Sequence, residues 1–249
     1  MESLAAQERR KWLLDELSTA RTISLADAAG ALGVSEMTVR RDLRRMEAEG
    51  QARRVRGGAV FNGPVSFHGR EKSHPEEKQR IAEKLLPLVP DSGVIAMDSS
   101  TTMHRLALGL RSRQGLTVVT NGMLTFQALQ DRPGVTAILT GGAADKRSDS
   151  LVGPVATAFL NDMRFATFFT SAAAIDEYAG YEDTLEEAEI KRAFARSSAR
   201  LILGAHTQKL DQNATAAALR LGRIDTLATE LDPETPELAR YREIIREVL

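Results

Sequence analysis

The chain has 249 residues, of which 43% are hydrophobic and 27% charged, and its formal net charge is −1. This composition is ordinary for a globular protein of one or two domains, and the near-zero charge argues against a general nucleic-acid coat protein. There are no cysteines, which excludes disulfides and thiolate metal sites. The four histidines, at positions 68, 74, 104 and 206, lack metal-ligand spacing, so we expect no metal and no cofactor.

The N-terminal residues argue against a secreted protein, and the lengths of the apolar runs argue against a membrane-spanning one. The first twelve residues carry charges where a signal peptide needs an apolar core. No run of about 18 apolar residues is long enough to span a bilayer. Together with the absence of cysteine, these features predict a cytoplasmic protein.

The first 33 residues predict two helices and a tight turn. The first helix is expected over 8–19. Ser24 and Asp27 have the spacing of a capping box, which predicts a second helix of about eight residues. Gly33 follows it and can adopt the positive φ that a tight turn requires.

A third, amphipathic helix is predicted over 36–49, between Ser35 as N-cap and Gly50 as the C-terminal stop. Its apolar residues recur at i, i+4 and i+7 and form one face, and its opposite face and flanks carry four arginines within six residues. The apolar residues are Val39, Leu43 and Met46, and the arginines are Arg40, Arg41, Arg44 and Arg45.

An arginine-rich helix face taken alone is usually a solvated surface. Here a helix and a glycine-containing turn precede it, which is the layout of a helix-turn-helix. Further arginines lead to Gly57 and Gly58, which predicts a short hairpin "wing", and the segment 36–58 has a net charge of +3. The residues predicted to contact DNA are Ser35, Met37, Thr38, Arg40, Arg41, Arg44, Arg45, Arg53, Arg54 and Arg56.

The rest of the chain predicts a linker and a larger second domain. We expect a DNA-binding domain over 1–60, a linker over 61–75 and an α/β domain over 76–249. In the last of these, short apolar strands alternate with helices, which indicates a mostly parallel, doubly wound sheet. Strands are predicted over 94–97, 116–120, 135–139, 165–170, 200–203 and 226–228, and helices over 77–88, 102–110, 123–129, 154–161, 186–198, 214–220 and 236–248.

Polar residues and glycines follow several of these strands. In open α/β sheets ligands bind beyond the carboxyl ends of the strands, and hydroxyls at a helix N-terminus suit a phosphate. Each group alone has a plain structural explanation, such as a helix cap, a turn or a solvated lysine. The residues predicted to line a joint site are Asp98, Ser99, Ser100, Thr101, Thr102, Thr120, Asn121, Gly141, Gly142, Lys191, His206 and Lys209.

Two sets of motifs resemble those of DeoR-family bacterial transcriptional regulators. The first runs from Val34 to Leu43 and includes Thr38, Arg40 and Arg41, and it continues at 54–59. The second is an ordered set in the C-terminal domain, which comprises Asp98, Thr101, Thr102, Thr120, Asn121, Gly141, Gly142, Gly153, Glu189, Lys191, Arg192 and Lys209. The resemblance implies a winged helix-turn-helix followed by an effector domain that is similar in fold to sugar-phosphate isomerases and senses phosphorylated sugars or related metabolites.

The chain departs from the family pattern at three places. Ser100 stands where the first loop usually has glycine, a glycine usual near Ala173 or Ala174 is absent, and His206 replaces an aspartate. These changes predict either an unusual effector or weakened effector binding.

The resemblance implies an oligomeric DNA-binding regulator, a repressor of a carbohydrate catabolic operon, rather than an enzyme. Its partners would be an operator duplex, a small effector and further copies of the chain. A rival from another class is a sugar-phosphate isomerase with an accessory DNA-binding module, in which Asp98, Glu189, Lys191 and His206 would supply acid–base groups. A purely structural interaction protein would leave both the arginine face and the polar strand ends unexplained.

Overall fold

The structure is a computed structural model that describes residues 4–20, 22–48, 51–61 and 66–249. The chain divides into two compact units, Met1–Ser73 and His74–Leu249. None of the helices in the described ranges is long and apolar enough to cross a membrane.

The first unit is a helical domain with a small antiparallel sheet. The three predicted helices and the wing hairpin are confirmed, while Gly50, the predicted helix stop, lies outside the described residues. Strand order in the sheet is β1-β3-β2. The elements are α1 (Leu4–Ala20), β1 (Thr22–Ser24), α2 (Leu25–Leu32), α3 (Glu36–Ala48), β2 (Ala52–Val55), β3 (Gly58–Phe61) and α4 (Phe67–Lys72).

Helix α4 lies within 61–75, a segment whose sequence shows no periodicity. Ser66 caps it by accepting a hydrogen bond from the Gly69 N–H at 3.1 Å, and Phe67 is buried. The first unit therefore continues to Ser73, through part of the segment that we expected to be a linker.

The second unit is built on a parallel sheet of seven strands, in the order β15-β14-β12-β9-β4-β5-β6. This confirms the predicted α/β fold class. Its strands are β4 (Gly93–Met97), β5 (Leu116–Thr120), β6 (Val135–Leu139), β9 (Phe165–Thr170), β12 (Ser198–Gly204), β14 (Thr226–Ala228) and β15 (Glu247–Val248). The helices are α5 (Pro75–Leu85), α6 (Thr101–Gly109), α7 (Met123–Gln130), α8 (Pro154–Asn161), α9 (Leu185–Arg196) and α10 (Ala239–Ile244).

Two smaller antiparallel sheets accompany the main one. They are the hairpin β7 (Ala143–Asp145) and β8 (Ser150–Val152), and a sheet of β10 (Ala174–Ile175), β11 (Ala179–Glu182) and β13 (Ala216–Arg220). The helix predicted over 214–220 is wrong, because these alanine-rich residues pair with β11 instead. The helix predicted over 236–248 ends at Ile244, after which β15 pairs with β14 at the sheet edge.

The main sheet is covered on both faces. Successive side chains of a strand point to opposite faces, so Ile95 and Met97 join one hydrophobic cluster and Ala96 joins another. The first cluster includes residues of α5 and α6, and the second includes residues of α8 and α9. With both faces covered, the loops that follow the carboxyl ends of β4, β5, β6, β9 and β12 remain for a binding site; we call these loops, with the side chains that reach them, the strand-end site.

Candidate functional site

Helix α3 has one buried face and one exposed, cationic face. Val39, Leu43 and Met46 are each 0% exposed and pack in the core of the first unit, as their spacing predicted. Met37 is 67% exposed. The predicted DNA-contacting residues Ser35, Arg40, Arg41, Arg44, Arg45, Arg53, Arg54 and Arg56 are all exposed, and Thr38 is half-buried.

The N-terminus of α3 is fixed by the predicted cap. The Ser35 hydroxyl accepts a hydrogen bond from the Thr38 N–H at 3.3 Å, and its oxygen lies 3.0 Å from the Thr38 hydroxyl. Because both hydroxyls already contact one another, they are held at the start of the helix, in the same turn as Met37.

Ion pairs made by Arg9 and Arg54 tie α3 to neighbouring elements. Arg9 on α1 contacts buried Asp42, with 2.5 Å between Nε and Oδ2. On the wing, Arg54 contacts Glu47 through its Nε at 2.5 Å and its backbone N–H at 2.9 Å, and these hydrogen bonds lower the pKa of Glu47. We expected Arg54 to contact phosphate, but in the structure its guanidinium holds the wing against α3.

Asp98, directly after β4, is a buried carboxylate with several donors. Its Oδ1 accepts a hydrogen bond from the Ser100 N–H at 2.9 Å. Its Oδ2 accepts hydrogen bonds from the Thr170 hydroxyl at 2.6 Å and the Ser171 N–H at 2.9 Å. These contacts join the loop after β4 to the end of β9.

Lys191 on α9 reaches the same carboxylate. Its Nζ lies 2.9 Å from Asp98 Oδ2 and 2.5 Å from Glu182 Oε1, and it donates a hydrogen bond to the Ser171 carbonyl at 2.5 Å. Burial alone would lower the pKa of Lys191, but Asp98, Glu182 and Glu187 outweigh it and raise that pKa. The ammonium is therefore charged at neutral pH.

The pKa values of Asp98 and Glu182, the two carboxylates that contact Lys191, shift in opposite directions. Burial would raise the pKa of Asp98, but Lys191 and the hydrogen bonds from its neighbours hold it below its ordinary value. For Glu182, burial raises the pKa, and the like charge of Glu187 adds to that effect against the opposing effect of Lys191.

A second set of polar side chains surrounds Glu187, near the N-terminus of α9. The Ser150 hydroxyl on β8 donates a hydrogen bond to Glu187 Oε1 at 2.5 Å, and Ser99 lies at 3.5 Å from Oε2. Ser148 lies 2.7 Å from Ser150, between their hydroxyl oxygens, and donates to Asp145 at 3.0 Å. The β7–β8 hairpin thus contributes hydroxyls to the strand-end site.

The loop after β5 contacts the same hairpin. Thr120 accepts a hydrogen bond from the Gly122 N–H at 3.0 Å, and Asn121 donates through Nδ2 to the Leu151 carbonyl at 3.3 Å. Among the described residues, Asn121 Oδ1 and Thr125 Oγ1 are buried atoms without a hydrogen-bond partner. Two acceptor-capable groups are therefore available, one in this loop and one in the first turn of α7.

The glycines after β6 allow a close backbone approach. Gly142 has φ +114°, and a Cβ there would lie 2.6 Å from the Val152 carbonyl oxygen. Gly141, at φ +73°, has open space around its missing Cβ, with only Val155 as near as 4.0 Å. Both positions suit glycine because of their positive φ, and Gly142 also because of the hairpin beside it.

His206 and Lys209 lie in the loop after β12. Lys209 donates hydrogen bonds to the Ala172 carbonyl at 2.5 Å and the Ser171 hydroxyl at 3.3 Å, which connects this loop to the end of β9. His206 stacks on His74, with ring centroids 4.5 Å apart. Burial, and then the charges of Lys209, His74 and Lys78, lower the pKa of His206 to about 2.

The structure thus places all the predicted strand-end residues at the carboxyl ends of strands or reaching them. Thr101 and Thr102 are buried in the first turn of α6, which Ser100 caps by accepting a hydrogen bond from the Met103 N–H at 3.2 Å. Glu189, named for the rival enzyme, is exposed on α9. Ser148, Ser150, Thr170 and Glu182 were not predicted from the sequence. The sequence places Ser171 at a strand end and the acidic start of α9, 186–189, near the same edge, but neither was among the residues predicted to line the site.

Family comparisons agree with the two-unit architecture. Residues 9–65 match the DeoR-like helix-turn-helix domain, and residues 73–231 match the DeoR C terminal sensor domain. The chain belongs to the DeoR family. It is therefore a DNA-binding transcriptional regulator with a C-terminal sensor domain.

Relatives named as transcriptional regulators or repressors match this DeoR-family chain along nearly their whole length. This chain is 31% identical over 254 residues to the lactose phosphotransferase system repressor of Lactococcus lactis. The alignment covers 96% of this chain and 98% of the relative. The chain is 30% identical over 228 residues to the HTH-type transcriptional regulator GolR of Listeria innocua, which covers 90% of each chain.

Among solved structures, ribose 5 phosphate isomerase A from Neisseria gonorrhoeae is 16% identical, with a TM-score of 0.38. The likeness covers 57% of this DeoR-family chain and 54% of the isomerase. A resemblance at this level says nothing about shared chemistry.

Proposed function

We propose that this chain is a sequence-specific repressor of a carbohydrate catabolic operon, and that a phosphorylated sugar or related metabolite in the strand-end site modulates its DNA binding. The observation that carries the proposal is the exposed arginine face of α3, whose opposite face is fully buried in the first unit. Relatives named as the lactose phosphotransferase system repressor and a putative aga operon repressor support the carbohydrate assignment.

In this proposal α3 lies in the DNA major groove. Arginine can donate two hydrogen bonds to one guanine, and its charge is attracted to phosphates. Met37, Thr38, Arg40 and Arg41 would lie nearest the bases. The outer arginines, at 44, 45, 53 and 56, would contact phosphates, and oligomerisation as a dimer or tetramer would present two such helices to related half-sites.

The effector would bind across the loops of the strand-end site. Its phosphate would lie at the N-terminus of α6, next to the hydroxyls of Ser99, Ser100, Thr101 and Thr102, where helix N–H groups and the macrodipole favour an anion. An effector shifts the regulator between DNA-competent and incompetent states only if it binds one of them more tightly. We propose that the sugar phosphate favours the incompetent state, as induction of a catabolic operon requires.

The DNA-binding part is tested with the full chain and fluorescent duplexes from the promoter next to its gene. Arg41→Ala should weaken binding to the specific duplex by about 1–3 kcal/mol, which is roughly 5- to 150-fold, and should relax base preference. The matched control is Arg223→Ala, an exposed arginine of the second unit, which should leave binding unchanged. Equal affinity of the wild type and the Arg41 variant for the promoter duplex would refute the assignment of α3.

The effector part is tested by thermal shift of the full chain with sugar phosphates and polyol phosphates. A compound that raises the melting temperature and releases the promoter duplex supports the proposal. The same mixtures also test the rival enzyme: turnover of ribose 5-phosphate would favour an isomerase in which the Asp98 and Lys191 pair acts on substrate. Failure of every compound to stabilise the chain would argue against sugar phosphates as effectors.

A further inference from the structure

The carboxylate of Glu187 does not make the capping hydrogen bond that its position in helix α9 predicts. Glu187 stands three residues after Thr184, the N-cap of α9, whose hydroxyl accepts a hydrogen bond from the Glu187 N–H at 3.2 Å. A glutamate at this position commonly turns back to the backbone N–H of the cap residue. Here its Oε1 instead accepts the Ser150 hydroxyl at 2.5 Å, and its Oε2 faces Ser99.

One oxygen of this carboxylate keeps capacity for another donor. The contact of Oε2 with the Ser99 hydroxyl, at 3.5 Å, is at the limit of a hydrogen bond, whereas Oε1 is held closely. Glu187 is 8% exposed, so its carboxylate is largely shielded from bulk solvent. A carboxylate oxygen that is buried and weakly bonded is costly unless a partner reaches it.

The loop after β5 and the first turn of α7 add two further buried groups next to the same hairpin. Gly122 pairs with Ser150 in an isolated β-bridge, and a Cβ on Gly122 would lie 2.7 Å from Ser99 Cα, so this loop touches the loop after β4. Asn121 Oδ1 and Thr125 Oγ1, both 0% exposed, have no hydrogen-bond partner within the described part of the chain. Buried polar groups of this kind are ordinarily satisfied, and here a ligand would satisfy them.

The chemistry of these groups specifies a ligand end that donates hydrogen bonds and carries no negative charge. Glu187 Oε2 and Asn121 Oδ1 accept hydrogen bonds, while the serine and threonine hydroxyls either donate or accept. Alcohol groups match such a set. Three carboxylates, of Asp98, Glu182 and Glu187, lie around the ammonium of Lys191. A further carboxylate on the ligand, next to Glu187, would be repelled by its like charge.

We propose that Glu187, supported by Ser150, recognises the hydroxyl groups of the effector and selects against effectors with a carboxylate at that end. The inference rests on the proposed function and deepens it, because it divides phosphorylated carbohydrates into two classes. Sugar and polyol phosphates with a neutral, hydroxylated end bind, and phosphorylated sugar acids do not. In this arrangement the phosphate lies at the N-terminus of α6, next to Ser100, Thr101 and Thr102, and the hydroxylated end lies on the Glu187 side of Ser99.

The test measures dissociation constants of the full chain by calorimetry for glucose 6-phosphate, glucitol 6-phosphate, ribose 5-phosphate, 6-phosphogluconate and inorganic phosphate. The wild type should bind at least one neutral-ended probe more tightly than 6-phosphogluconate. Glu187→Gln keeps the size of the side chain but removes its charge. The substitution should weaken the binding of that neutral-ended probe by roughly 10- to 100-fold and should reduce the discrimination against 6-phosphogluconate. The affinity for inorganic phosphate should stay unchanged. Glu186→Gln, at an exposed position of the same helix, is the matched control and should change none of these values.

Four results would overturn the inference. The first is tighter binding of 6-phosphogluconate than of every neutral-ended probe by the wild type, and this ranking decides even if Glu187→Gln fails to fold. The second is an equal loss of affinity for inorganic phosphate and sugar phosphate in the variant, which would indicate a purely structural role. The third is a variant that binds as the wild type does, which leaves the sugar-phosphate proposal standing. The fourth is a wild type that binds none of the probes, which removes both proposals.

Discussion

Replacing Lys191 with methionine tests whether the charge network of the strand-end site is as strongly coupled as its geometry indicates. Lys191 is 4% exposed, and its Nζ lies 2.9 Å from Asp98 Oδ2 and 2.5 Å from Glu182 Oε1. Methionine fills a similar volume and is unbranched like lysine, so the substitution removes the charge and the hydrogen bonds without opening a large cavity. The effect on stability is therefore mainly electrostatic.

The expected cost follows from leaving two carboxylates buried without their cation. Removing one member of a buried ion pair costs about 3–5 kcal/mol, against a total stability of about 5–15 kcal/mol for typical domains. Without Lys191, burial dominates and the pKa values of Asp98 and Glu182 rise. The variant then takes up protons on folding as the pH falls, so its deficit relative to the wild type should shrink on acidification.

The assay is urea unfolding of the ligand-free full chain, followed by far-UV circular dichroism at pH 7.5 and pH 5. Fluorescence of Trp12, the single tryptophan, reports the first unit. The control is Lys146→Met, an exposed lysine, which should cost less than about 0.5 kcal/mol. The reasoning fails if Lys191→Met is no more destabilising than this control, or if its deficit grows as the pH falls.

Three further predictions concern packing, backbone and pH. Leu43→Ala, on the fully buried face of α3, should destabilise the first unit by about 2–5 kcal/mol as measured by Trp12 fluorescence, although the arginine face is untouched. Gly142→Ala should cost about 1–3 kcal/mol in thermal unfolding because of its φ of +114° and the close Val152 carbonyl, whereas Gly30→Ala, within α2 and with open space, should stabilise by up to about 1 kcal/mol. The pKa of His206 is lowered to about 2 from its ordinary 6.5, so the unfolded chain binds the extra proton and stability falls as the pH drops below about 6.5. His206→Asn should flatten the stability curve between pH 6.5 and pH 4, and an unchanged slope would contradict the assignment.

The amphipathic helices and the parallel strands could be predicted because their patterns are local. Val39, Leu43 and Met46 recur with helical spacing, and the short apolar runs of the second unit allow few alternatives to buried strands. The polar loops then follow from topology, since parallel strands end at one edge of the sheet. Site residues such as Asp98 and Asn121 are therefore predictable from the sequence alone.

The elements and contacts that the sequence did not predict depend on pairing between segments that are distant in the chain. Residues 216–220 are rich in alanine and favour a helix locally, yet their backbone pairs with β11, some 40 residues earlier in the chain. The β7–β8 hairpin is too short to show alternation, so nothing in the sequence pointed to Ser150. Glu187 had a local explanation as a helix-capping residue, and only the position of Ser150 shows that its carboxylate turns elsewhere.

The three departures from the family pattern differ in their structural consequences. Ser100 has φ −71° and caps α6, so its Cβ introduces no strain. The described non-glycine residues with positive φ are His74, Asp149 and Asp211, which means that Ala173 and Ala174 also adopt backbone conformations that tolerate a side chain.

His206 is the departure with chemical consequence. An aspartate in this loop would place a carboxylate beside Lys209, whereas the buried imidazole is neutral, stacks on His74 and leaves its Nδ1 without a hydrogen-bond partner in the described residues. Residue 206 therefore contributes no carboxylate beside Lys209, and the loop after β12 favours an anion more than it would with an aspartate at this position. Of the three changes, His206 is thus the one expected to alter which effectors bind, while the other two are accommodated by the backbone.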